Sequence, residues 1–420
     1  MLKKLIPQSR YARNVITLMT GTGLAQAIPI AITPILTRLY TPEDFGLVAL
    51  YVACASVLSI LATGRYEQAI TLPESHKEAA NLLVLSLKLC AAISLLLIIP
   101  IVVFNEWIVL KLGNSEMAPW LFLLPISVIG LGTFNAMQMW LNRCGLYKQM
   151  SLNRLQNSGY NAVINLSLGI IKLPAGQIWA ASFGPLFAAL TALRLAYRQD
   201  EQFFNQADWE TQKRLARRYQ NHPKHILPAQ IIGAVAVQIP IFIMSSVYSL
   251  AVAGFFSMAY ALVVIPTSLV ASSIGDVYRK EISESYNKNG EFQSIYLSTI
   301  KRTSIIALPP FIIIYAVAPF LFKWVFGSAW QEAGEYAQIL VVGAFFMFIF
   351  TAVDKGAVVI GATKYILAWH VVRLILMMAL YIAAKYFNIE ILNFLWLFVS
   401  MLTVLYVFNI AMEYKFSKKK

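Results

Sequence analysis

Apolar residues in this chain come in long runs, not in the alternating or three-and-four patterns of half-buried strands and soluble helices. A membrane-spanning helix needs about 20 mostly apolar residues. Twelve runs of roughly that length can be marked, over 14–37, 45–64, 79–104, 118–140, 155–172, 175–196, 227–248, 251–272, 303–325, 334–353, 365–386 and 391–412. The pattern predicts an all-α polytopic membrane protein with twelve transmembrane helices. Pro34, Pro125, Pro240, Pro266 and Pro310 fall inside runs. Such breakers are tolerated where neighbouring helices or a cavity satisfy the backbone groups they free.

Charge then sets the orientation. With the N-terminus inside, 27 of the 34 Lys and Arg residues fall on the inner side, and only Arg38, Lys111, Lys172, Lys323 and Lys385 fall on the outer side. Basic residues collect on cytoplasmic loops, so both termini are expected in the cytoplasm of a bacterial inner membrane protein. The net charge of +14 is thereby absorbed by topology, and nucleic acid is not an expected partner. Composition agrees: of 420 residues, 59% are hydrophobic and 13% charged, against roughly 25% charged in ordinary soluble domains. The first residues, Met1 to Arg13, are short, basic and polar, without the apolar core and cleavage site of a signal peptide. Cys54, Cys90 and Cys144 form no CxxC pair, which argues against disulfides and metal sites. No cofactor is expected.

The outer loops are short. The longest inner loop, 197–226, holds Trp209, Lys213, Arg214, Arg217 and Arg218. It reads either as a basic amphipathic helix on anionic lipid or as a solvated linker. It divides the chain into an N-terminal six-helix lobe (1–198), a cytoplasmic linker (199–226) and a C-terminal six-helix lobe (227–420). The first run carries Ala25-Gln26, Pro34-Ile35, Tyr40 and Gly46; the seventh carries Ala229-Gln230, Pro240-Ile241, Tyr248 and Gly254. Halves with an even number of spans start on the same side, so the expected repeat is parallel, about an axis along the membrane normal.

There is no HExxH, GxSxG, P-loop or DxD-like motif among these residues, and catalytic chemistry is not expected. Ionisable residues at membrane depth are the functional candidates, because an unpaired charge there costs several kcal/mol or more. Lys88 lies about ten residues into the third run, and either snorkels to the inner interface or faces a wet cavity. Arg373 lies mid-way in the eleventh run, with His370 one turn before it on the same face. It either pairs with a carbonyl or carboxylate between helices or holds an anion such as a phosphate. Arg65 and Arg154 stand at the inner mouths, as anchors or as substrate contacts. Asp354 closes the tenth run, either in a salt bridge to Lys355 or Arg302 or as an ion-coupling carboxylate. Asn135 and Gln138 on the fourth run, and Asn157, Asn161 and Asn165 on the fifth, are polar uncharged residues within spans. They either hydrogen-bond between helices or line a wall that replaces water around sugar hydroxyls.

The segments GTGLAQAIPIAITPILTRLYTPEDFGLVALY (21–51), ATGRYEQAITLP (62–73), EAANLLVLSL (78–87) and WLNRCGLYKQMSLNRLQNS (140–158), with GATKY (361–365), resemble the bacterial polysaccharide and O-antigen flippases of the multidrug/oligosaccharidyl-lipid/polysaccharide exporter superfamily. The resemblance is strongest over about 12–160. It implies two six-helix lobes around a central cavity and a substrate of undecaprenyl-diphosphate-linked oligosaccharide. It also implies membrane lipids, a glycan polymerase and a chain-length regulator as partners. The diphosphate agrees with the cations found above. A cation-coupled multidrug exporter of the same fold would favour acidic residues within the N-terminal spans, and none is seen. A membrane glycan polymerase or ligase would need a sizeable outer loop.

Overall fold

The structure, a computed structural model, describes residues 10–418, and every element in that range is helical. The α-helices are α1 (Arg10–Leu39), α2 (Pro42–Ala62), α3 (His76–Leu96), α4 (Ile98–Val103), α5 (Asn105–Leu112), α6 (Leu124–Arg143), α7 (Tyr147–Ile170) and α8 (Gly176–Asn205). They continue with α9 (Trp209–Arg218), α10 (Leu227–Ile243), α11 (Leu250–Asn289), α12 (Gln293–Phe326), α13 (Gln331–Val353), α14 (Gly356–Val359), α15 (Thr363–Phe387) and α16 (Ile391–Ser417). Single π-helical turns, His222–Ile226 and Met244–Tyr248, flank α10.

Among the described residues, ten helical stretches are long and apolar enough to cross a membrane. Two more long helices, α1 and α7, coincide with the first and fifth apolar runs. α7 is the more polar because Asn153, Arg154, Gln156, Asn157, Asn161 and Asn165 interrupt it. The fold class is the one the apolar runs predicted, all-α and polytopic. On α12, Ile305, Ile306, Ile312, Ile313, Phe320 and Trp324 are all exposed. So large an apolar face belongs against lipid, not water.

Local chemistry sets the helix ends. Thr41 and Asp44 form a capping box at α2, with Pro42 in the first turn. Ser249 caps α11 by accepting from the Val252 N–H at 3.1 Å, and Gly290, at φ +72°, ends that helix. Several helices outrun their apolar segments: α11 continues about 17 residues beyond position 272, so most of 273–302 is helix.

The chain forms two compact units, Met1–Ser246 and Val247–Lys420. In the first, α7 packs on α1 and α8, α6 on α2, α3 and α8, and α10 along α2. The division therefore falls one span beyond the 199–226 segment. Its core includes Leu82, Leu83, Met137, Trp140 and Leu215. Close approach is built in at Gly184 on α8, where a Cβ would collide with the Asn161 side chain of α7. In the second unit α13 packs on α11, α12 and α16, and Tyr278, Ile282, Phe292, Tyr296 and Val353 form a buried cluster. The segment 199–226 is largely helical. Its α9 turns Gln212 and Leu215, both fully buried, into the first unit, while Trp209 stays exposed.

Candidate substrate site

The second unit contains a cavity of about 430 Å³. Its charged lining comes from four directions: Asp276 and Arg279 on α11, Asp354 and Lys355 at the end of α13, His370 and Arg373 on α15, and Glu413 on α16. Phe350, Tyr365, Trp369 and Asn409 also line it. Spacing of three places His370 and Arg373 on the same helix face, as the sequence indicated, and both reach this space.

The charges are not equivalent. Asp354 accepts from Lys355 Nζ at 2.6 Å, so this pair largely neutralises itself. Glu413 accepts from the Ala357 N–H at 3.1 Å, capping the short α14. Gly356 makes this possible, because a Cβ there would collide with the Glu413 carboxylate. Asn409 Nδ2 donates to the Tyr365 hydroxyl at 3.0 Å. Arg373 Nε is buried with no hydrogen-bond partner, as are Asn409 Oδ1 and Glu413 Oε2. Among the described residues no carboxylate lies within ion-pair distance of Arg373. Buried polar atoms are rarely left without partners. A guanidinium and an amide oxygen both unsatisfied in one cavity fit a ligand that accepts from the first and donates to the second.

The first unit holds a separate polar network. Arg154 Nε donates to Gln138 Oε1 at 2.9 Å, and its Nη1 donates to Thr22 Oγ1 at 2.7 Å. Gln138 Nε2 donates to Asn153 Oδ1 at 2.9 Å, and Asn153 Nδ2 donates to the Ala188 carbonyl at 2.7 Å. Residues from α1, α6, α7 and α8 are thereby tied together, and Gln138 and Asn153 are buried.

A family model described as "Polysaccharide biosynthesis protein" matches residues 35–335. The chain belongs to this polysaccharide biosynthesis family. It is 24% identical over 319 residues to the succinoglycan biosynthesis transport protein ExoT of Rhizobium meliloti (strain 1021), covering 74% of this chain and 61% of that one. The chain thus spans about three fifths of the length of that curated relative. In fold it is similar to the lipid II flippase MurJ in an inward closed conformation, with a TM-score of 0.69, 13% identity, and coverage of 95% of this chain and 87% of that one. It is also similar to an inward-facing multidrug resistance MATE family transporter of the MOP superfamily, with a TM-score of 0.62, 17% identity, and coverage of 94% and 93%.

The remaining sequence-derived candidates in this polysaccharide biosynthesis protein have other surroundings. Lys88 Nζ donates to Gln212 Oε1 of α9 at 3.0 Å and lies 5.6 Å from the Trp209 ring centroid. Arg65, in a left-handed turn at φ 62°, pairs with the buried Glu67 at 3.0 Å. Glu67 in turn accepts from the Thr63 hydroxyl. Asn161 Nδ2 donates to the Asn157 carbonyl at 2.9 Å, and Asn135 is exposed. Asp276, Arg279, Glu413 and Asn409 were not singled out from the sequence. They lie near span ends, where charge reads as ordinary anchoring, and only the packing of α11 and α16 against α13 brings them together.

Proposed function

We propose that the chain is a flippase that moves undecaprenyl-diphosphate-linked oligosaccharide, an O-antigen or capsule repeat unit, across the bacterial inner membrane by alternating access. The observation that carries this reading is Arg373, a cation at membrane depth without a carboxylate partner in a polar cavity. A diphosphate supplies the missing anion, and a guanidinium can grip it through two parallel donors. A glycan cannot enter hydrocarbon, because each hydroxyl buried without a partner costs several kcal/mol. Asn135 and the Asn157–Asn161 pair, which are not buried, supply groups of the kind that replace water. Family membership supports a role in polysaccharide biosynthesis, and similarity to a transport protein and, in fold, to a flippase suits translocation without covalent chemistry. The reading includes cytoplasmic termini, two repeated six-helix halves over 1–198 and 227–420, and a polymerase and chain-length regulator as partners. It also places Lys88, Arg65, Arg154, Asn135, Gln138 and His370 on the substrate path and makes Asp354 the coupling carboxylate, released from Lys355 when an ion binds.

The test is Arg373→Ala and Arg373→Lys, with surface glycan and membrane protein level measured side by side. Arg373→Ala should reduce export at least tenfold with normal protein level, and Arg373→Lys should restore only part of it. Normal export in Arg373→Ala removes the anion site.

A further inference from the structure

Outside these polar regions, three residues remote in sequence converge at the basic side of the first unit. His76 is the first residue of α3, Cys144 directly follows α6, and Asp200 lies near the end of α8. Their donor atoms, an imidazole nitrogen, Cys144 Sγ and a carboxylate oxygen, all lie within 4.8 Å of one another. His76 Nε2 and Asp200 Oδ1 are 3.1 Å apart. None of the transport chemistry uses them.

Several features make this more than a chance crossing. Asp200 interrupts an otherwise continuous helix, with φ −125° and ψ 24°. The His76 ring lies against Trp140, with centroids 4.9 Å apart, and edge-on to Phe203 at 4.7 Å. Trp140 is fully buried in the core of this unit, so the imidazole is held in one pose before any ligand arrives. All three residues are half-buried, shielded yet reachable from water. The neighbouring Arg143 is engaged elsewhere, donating to the Glu74 carbonyl at 3.1 Å.

One sulfur, one nitrogen and one oxygen donor suit a borderline-soft divalent ion, not Mg²⁺ or Ca²⁺, which take oxygen ligands. Tetrahedral zinc with ligand bonds of about 2.0–2.3 Å places its donors about 3.3–3.7 Å apart. The observed cluster reaches that spacing by closing about 1.5 Å at most. We propose that His76, Cys144 and Asp200 form a three-ligand zinc(II) site that staples the start of α3 to the ends of α6 and α8. Binding replaces the thiol proton with the metal and releases that proton to water. The fourth position is left for water or an external ligand, as in zinc sites with three protein ligands.

The test uses the full chain purified in detergent, stripped with a chelator and titrated with Co²⁺. One equivalent should bind, giving a thiolate-to-cobalt charge-transfer band in the near ultraviolet that Zn²⁺ displaces. Cys144→Ser should abolish the band, and His76→Ala and Asp200→Asn should each weaken binding at least about tenfold. Cys54→Ser and Cys90→Ser should leave it unchanged. No band in the unmodified protein, a band surviving Cys144→Ser, or wild-type affinity in His76→Ala would overturn the site. A second measurement covers poor folding of the ligand variants. In protein carrying Cys54→Ser and Cys90→Ser, Zn²⁺ should slow maleimide labelling of Cys144 at least tenfold, and an unchanged rate overturns the proposal.

Discussion

Tyr40 and Tyr248 make the same bond in different halves of the sequence. Tyr40, after the first long helix, donates to the Asn165 carbonyl at 2.8 Å on the fifth. Tyr248, after the seventh, donates to the Ile389 carbonyl at 2.8 Å, just beyond the eleventh. Each precedes a polar residue, Thr41 or Ser249, that caps the next helix. Tyr40→Phe and Tyr248→Phe should each lower stability by about 0.5–1 kcal/mol. Because the two bonds lie in different units, the losses should add in the double variant. Thermal unfolding in detergent measures this, and strong non-additivity would contradict it.

Arg154→Ala should cost about 1–2 kcal/mol, because it strips donors from Gln138 and Thr22 together. Arg154→Lys should recover less than half, since one ammonium cannot reproduce the two-branched contact. Melting temperature combined with glycan export separates a structural loss from a transport loss.

Gly184→Ala should destabilise by about 1–3 kcal/mol by driving a methyl group into the Asn161 amide. Adding Asn161→Ala should return most of that loss, because it removes the colliding group. A double-mutant cycle on melting temperatures tests the coupling, and simple additivity would show that the collision is relieved elsewhere.

Asp208 caps α9 by accepting from the Thr211 N–H at 2.7 Å, and this bond holds its carboxyl below the usual carboxylate range. A depressed folded pKa gives stability that is complete above the unfolded value and lost as pH falls through the folded one. The first turn of α9 should therefore loosen on acidification, releasing Trp209 from Lys88. Trp209 emission should report this as pH falls below the ordinary carboxylate range. Asp208→Asn keeps a capping side chain and should abolish the pH response.

The membrane-spanning core was legible because hydropathy alone marks a helix that must satisfy its backbone inside lipid. The ends were less so: the eighth run stops at position 272, yet α11 runs on through polar residues to Gly290. His370 and Arg373 were found because a helix puts residues three apart on one face. The ion pair of Asp354 with Lys355 was one of the two alternatives read for that carboxylate. Asp276, Arg279 and Glu413 were missed, since no local spacing connects α11, α15 and α16. Lys88 had no readable partner, because Gln212 is 124 residues away. The same separation hid His76 from Asp200.

The two π turns around α10 have a mechanical consequence. A π turn holds one residue more than an α turn. Tightening one while the other persists advances the helix by a single residue, which is about 100° of rotation and 1.5 Å of travel. Two glutamine contacts resist that step: Gln238 donates to Ser56 Oγ at 2.9 Å and Gln68 to Gln230 Oε1 at 3.4 Å, both on the α2 side. The same step would swing the buried Ala236, Ile239 and Ile243 out of their packing, so the paired π turns hold α10 in one register that it can leave only by repacking its whole buried face.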